Sequence, residues 1–315
     1  MKYKGSVFGS DAELSIEREG IRLGKRFLDY SEVKSLRPIN HRIIIETLSG
    51  ESLEISMLGF SFDGFWEELI DCFGKRSLES LFVDEESIMI CEGEYIVPVE
   101  SPEERKISLE SGRAKIALFP DSVCILPQTV HAVRIPLCFT ERIWLDGYQI
   151  HLILDSGTEY IVGKMGYDTK PFAERAENAT KSVKQKRSAA LSGHPVSEHF
   201  SEKGLFRTKD SEFFWNAAFG IGKCAVELFT GEDSATYLYQ FSGPRDIFKA
   251  ELQKAMEAVG THREMIYMTD EQLADKPLYQ MSIQRTPAVR YLRKRSAGRL
   301  IHNANHSQKL REFLS

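Results

Sequence analysis

Short runs of alternating apolar and polar residues dominate the first half of the chain. Ala12-Glu13-Leu14-Ser15-Ile16-Glu17 alternates, turns at Glu19-Gly20 and continues through Ile21-Arg22-Leu23. Alternation with period two is the signature of half-buried strands. The runs His41–Glu46 and Ser52–Ile55 flank Leu48-Ser49-Gly50-Glu51, which predicts a hairpin. The period then lengthens. Asp63 is a candidate N-cap, and Phe65, Leu69, Cys72 and Phe73 fall on one face of a predicted helix.

The same plan recurs downstream. Residues 114–126 repeat the strand–turn–strand shape of 12–23. The run Tyr148–Leu154 turns at Asp155-Ser156-Gly157 and returns through Tyr160-Ile161-Val162. Gly50 stands to Gly59 as Gly157 stands to Gly166, nine positions in each case. Gly59 stands to Phe65 as Gly166 stands to Phe172, six positions in each case. Two equal spacings and a shared Ser-Gly turn predict a duplicated unit. The second helix is expected from about Pro171 into Lys181–Arg187, and the Pro/Gly/Ser content of 182–195 marks a boundary. A third hairpin, Cys224–Phe229 returning through Thr236–Phe241, precedes an apolar helical stripe with Ile247, Phe248 and Leu252. It reads as a degenerate third copy, with one more strand at Glu264–Met268.

Successive antiparallel strands closed by one amphipathic helix resemble the pleckstrin-homology-like (PH-like) superfold. Ala12–Phe73 and Ala114–Ala179 carry the resemblance. It implies a β-dominated α+β chain of two or three tandem modules, bounded at 1–83, 84–192 and 193–315, with a basic helical tail. It also implies lipid, peptide or structural roles without choosing among them. Phosphoinositide-binding members carry a basic cluster in the first strand–strand loop. The turns read here as equivalent, Glu17-Arg18-Glu19-Gly20 and Pro120-Asp121-Ser122, are acidic or neutral, which argues against that ligand.

Charge adds one feature. The net charge is −5, yet residues 277–315 hold eight Lys/Arg against Glu312, leaving the rest of the chain strongly acidic. Arg290, Arg293, Lys294, Arg295 and Arg299, with Val289, Leu292, Leu300 and Ile301 as a partial apolar stripe, make the candidate contact for a polyanion or partner. Docking on the acidic body of the same chain is the competing expectation.

Catalytic chemistry is not indicated. Gly220-Ile221-Gly222-Lys223 lacks the following helix of a dinucleotide site, and Ala217 and Cys224 stand where a P-loop needs Gly and Ser/Thr. His302 and His306 are four apart with no third metal ligand near in sequence except Glu312, and no Gly-x-Ser-x-Gly elbow occurs. The five cysteines are odd in number, without a C-x-x-C, and no apolar run is long enough to span a bilayer. The expectation is a cytoplasmic, non-enzymatic protein-binding or scaffold protein, without cofactor or metal. Peripheral membrane or nucleic-acid binding through the tail is the alternative.

Overall fold

The computed structural model describes residues 2–83, 85–100, 107–154 and 157–191, and beyond them 202–207, 212–230, 233–240, 243–244, 248, 265, 268–286, 289–290, 293 and 300–301. It is a β-dominated α+β protein. Two tandem modules each hold a seven-stranded antiparallel sheet followed by a helix, a PH-like architecture.

Module 1 comprises β1 (Lys2–Val7), β2 (Ser10–Ile16), β3 (Gly20–Leu23), β4 (Arg26–Asp29), β5 (Val33–Ile39), β6 (Arg42–Thr47), β7 (Ser52–Ser56) and α1 (Phe62–Ser80). Its sheet order is β4-β3-β2-β1-β7-β6-β5, so the first strand pairs with the last. Module 2 repeats this with β8 (Met89–Glu100), β9 (Ile107–Leu118), β10 (Ser122–Pro127), β11 (Val133–Pro136), β12 (Thr140–Asp146), β13 (Gln149–Leu154), β14 (Glu159–Gly163) and α2 (Thr169–Leu191), in the order β11-β10-β9-β8-β14-β13-β12.

The repeat holds at the level of single bonds. Thr47 N donates to Glu51 O and Gly50 N to Thr47 O; Leu154 N donates to Thr158 O and Gly157 N to Leu154 O. Gly50 (φ 86°) and Gly157 (φ 78°) adopt the left-handed conformation that this turn requires, which a side chain resists. A register shift falls between Val33 and Ser35 in β5 and between Thr140 and Arg142 in β12, 107 positions later in both members. Gly5 and Gly93 occupy matching places where the first and last strands cross. A Cβ on Gly93 would lie 2.5 Å from the Gly163 carbonyl oxygen, and one on Gly5 would lie 3.1 Å from that of Ser56.

Several boundaries differ from the sequence expectation. The first strand–strand connection of module 1 is Phe8-Gly9 between β1 and β2; Glu17–Gly20 joins β2 to β3. The alternation in Lys2–Val7 is masked because Gly5 and Ser6, consecutive and on opposite faces of β1, are both buried without an apolar side chain. In α1, Asp63 lies inside the first turn, where a carboxylate favours the positive helix end. In α2, Thr169 rather than Pro171 opens the helix, its hydroxyl accepting from Met165 N and donating to Gly166 O. That helix continues to Leu191, through most of the stretch expected as a boundary. Lys, Gln, Arg, Ala and Leu are strong helix formers and outweigh the serines there.

The third region carries β15 (Glu202–Arg207), β16 (Glu212–Gly220), β17 (Lys223–Thr230), β18 (Asp233–Gln240) and β19 (Leu300–Ile301), in sequential order. This meander differs in plan from the two modules, whose first and last strands pair. Gly220–Lys223 closes the β16–β17 hairpin around Ile221-Gly222. Among the described residues, two short helices with full bounds are α3 (Asp270–Ala274) and α4 (Pro277–Arg285). Met265 lies in helical backbone rather than the expected strand, and the rest of Glu264–Met268 up to Tyr267 is outside the described residues. No helix among the described residues is long and apolar enough to cross a membrane.

The cores are not segregated by sequence. Met281 of α4 is buried in the module 1 cluster with Phe65, Leu69 and Phe73. Cys224, Phe248, Met265 and Val289 are buried in the module 2 cluster with Phe172. The far side of α1, through Leu78, packs on Ala117, Phe119 and Cys124 of module 2.

Candidate interaction surface

The basic tail is anchored where it is described. Arg290 donates through Nη1 to the carbonyls of Ile283 (3.1 Å) and Gln284, the last turn of α4. Those carbonyls lack helical partners and carry partial negative charge, so a cation there is favourable. Arg293 donates to the carbonyls of Met265 and Met268 and, through Nη2, to Asp270 Oδ1 at 2.7 Å. Val289, just before Arg290, is fully buried. Helical backbone is present at 289, 290 and 293, but Leu300–Ile301 is a strand against Thr236–Tyr237 of β18, which corrects the expectation of a wholly helical tail. Two β-capable apolar residues beyond Gly298 complete a sheet edge there instead. Lys294, Arg295 and Arg299, and with them His302 and His306, lie outside the described residues.

A second polar cluster forms where the modules meet. Relative to module 1, the β10–β11 connection is longer: β3 and β4 are joined by Gly24-Lys25, whereas residues 128–132 separate β10 from β11. The added segment docks on the outer edge of β5. Leu36 N donates to Gln128 O and Val130 N donates to Lys34 O, both 2.8 Å, around a bridge between Ser35 and Thr129. Glu110 stands beside it and accepts from Tyr95 Oη (2.7 Å) and Thr129 Oγ1 (3.1 Å), with His131 Nε2 at 3.2 Å. Burial, followed by the bond to Glu110, pushes the Tyr95 phenol above its ordinary value. Arg134 ties the same connection to the end of α1, donating to the Leu81 and Phe82 carbonyls and, at 2.9 Å, to Asp121.

The equivalent edge in module 2 is β12, which pairs with β13 alone among the described residues. Its positions matching Lys34 and Leu36 are Glu141 and Ile143. Lys184 of α2 donates weakly to the Glu141 carbonyl, at 3.5 Å. On β12 itself Trp144 stacks on His151 of β13, with centroids 4.5 Å apart, and Arg142 lies over the Trp144 ring.

Among the described residues no group of three or more His, Cys, Asp or Glu side chains is arranged to hold a metal ion. The sequence singled out none of Glu110, Thr129, His131 or Arg285; the one available signal was the longer connection in the second copy. The sequence matches no family model and no curated protein.

Proposed function

We propose that the protein is a non-enzymatic binding or scaffold protein of the PH-like superfold, and that module 2 takes an extended segment of a partner protein along the edge of β12. The observation that carries this reading is the occupation of the matching edge in module 1. There a segment of the same chain is held by main-chain hydrogen bonds, one donated by Leu36 and one accepted by the Lys34 carbonyl. An edge strand presents unpaired N–H and C=O groups that favour such addition. By the repeat, Ile143 N–H and Glu141 C=O face outward on β12, with Trp144 and Arg142 beside them to select side chains. Selection from a random peptide library on the folded protein tests it. Binding of enriched peptides should survive Ile143→Val, which keeps a side chain against the core, and be lost in Ile143→Pro, which removes the outward donor. Enriched peptides that bind Ile143→Pro as well as the parent would refute the edge.

A further inference from the structure

Helix α4 covers module 1 although it lies far downstream in the chain. It packs on α1 and on the 3-10 turn Tyr30–Glu32 that joins β4 to β5, with Met281, Ser282 and Arg285 buried. Met281 belongs to the core that holds Tyr30, Phe65 and Phe73. The helix has nine residues. Helices shorter than about 12–15 residues are marginal alone in water, so α4 depends on this contact for its backbone hydrogen bonds.

The contact is apolar at Met281 and poorly satisfied elsewhere. Arg285 is 7% exposed. Its Nη1 donates to the Met281 carbonyl of the same helix and its Nη2 to Ser77 Oγ of α1, each at 3.3 Å. Both acceptors are uncharged, and Nε has no partner among the described residues. Its guanidinium carbon lies 6.0 Å from the Phe73 ring centroid, the outer limit of a cation–π contact. Burial draws the pKa down to about 10, so the group is still a cation at neutral pH. Gln284 Oε1 on α4, and Tyr30 Oη on the turn that α4 packs against, are also buried without partners among the described residues. Buried polar groups are nearly always bonded, and an unpaired one loses its hydration without return. A buried cation without an anion is costlier still. Lifting α4 away returns Arg285 and Gln284 to water, so these side chains oppose the docking that Met281 favours.

We propose that α4 is a detachable strap over module 1: Met281 holds it down, Arg285 keeps the hold reversible, and the helix lifts and reseats while both sheets stay folded. Its other bonds permit this, because they are local. Gln280 Nε2 donates to the Leu273 and Ala274 carbonyls, and Arg290 donates to those of Ile283 and Gln284. Lifting uncovers the side of α1 that carries Phe73 and Ser77. The β12 edge takes no part in it, so the two proposals stand or fall separately.

Native-state hydrogen exchange on the full chain provides the test. The amides of Met281, Ser282 and Ile283 should exchange through an opening that leaves Ile45 of β6 protected. Relative to intrinsic rates they should exchange at least about a hundredfold faster than Ile45. Arg285→Met keeps an unbranched side chain at the contact and removes the buried charge. It should slow exchange in α4 about tenfold. Arg285→Lys keeps the cation and should not slow it. Exchange in α4 as slow as at Ile45 in the parent would mean that the helix does not lift separately. Unchanged or faster exchange in Arg285→Met, or equal slowing in Arg285→Lys, would mean that the buried charge is not what loosens the strap. Any of these results overturns the proposal. The first comparison needs no variant, so it decides even should Arg285→Met fail to fold.

Discussion

At the scale of single residues, two phenylalanines set the closing helices against their sheets. Phe65 and Phe172 are both fully buried, one turn into α1 and α2. Truncating either to Ala should cost about 3–5 kcal/mol in denaturant unfolding. Five residues earlier the repeat supplies a control, because Phe60 and Tyr167 project wholly into solvent from the Gly59 and Gly166 corners. Their alanine variants should change stability by no more than about 0.5 kcal/mol. Sequence spacing separates these two pairs only through helical period, since all four are aromatic. The cysteines allow a chemical check. Cys91, Cys124, Cys138 and Cys224 are buried, and burial pushes the Cys124 thiol up to about 12. A raised pKa removes thiolate at working pH, and the thiolate is the reactive form. In the native protein at pH 8, an aromatic disulfide reagent should label at most Cys72, half-buried on α1, and all five cysteines only after denaturation. Rapid native labelling of Cys124 would contradict the packing of α1 on module 2.

At the scale of elements, the duplication was legible because turns and corners leave glycine at fixed spacing. Gly50, Gly59, Gly157 and Gly166 all have positive φ, so backbone geometry writes itself into the sequence there. The first strands were not legible by the same route. Gly5 and Gly93 sit where the first and last strands approach, with the Gly163 carbonyl leaving no room for a Cβ at Gly93, and they break the alternation that identifies β1 and β8. The docking segment was invisible for another reason. Residues 128–132 look like an ordinary loop, and their role comes from the edge of β5, a partner far away in sequence. Replacing residues 126–132 by the Gly-Lys turn that joins β3 to β4 should leave module 2 folded. It should expose the Leu36 amide, whose acceptor is Gln128 O. Hydrogen exchange at Leu36 should accelerate markedly while Ile45, on β6 between β5 and β7, keeps its protection. Unchanged exchange at Leu36 would mean that the added segment does not hold the edge.

At the scale of the whole molecule, the chain's charge asymmetry suggested a tail that docks on the acidic body or meets a polyanion, and its packing gives the tail structural work. Net charge cannot register that Arg290 and Arg293 are directed at backbone carbonyls, nor that Val289 and Met281 are apolar anchors in two different cores. Module 1 therefore borrows core volume from a helix 200 residues downstream, and α1 serves both sheets. Exposed ion pairs alone would contribute little to such docking, since each is worth about 0–1 kcal/mol. Burial must supply most of it. Met281→Ala should destabilise the chain by about 2–5 kcal/mol, as for other fully buried residues of its size. Removal of residues 277–315 takes away Met281 and Val289 together and should lower stability at least as far as Met281→Ala. The same truncation measured on heparin separates the remaining alternatives. If stability falls, the tail belongs to the fold, whatever happens to heparin retention. If stability is unchanged while heparin retention is lost, the packing of α4 described above is wrong and the arginines serve an external polyanion.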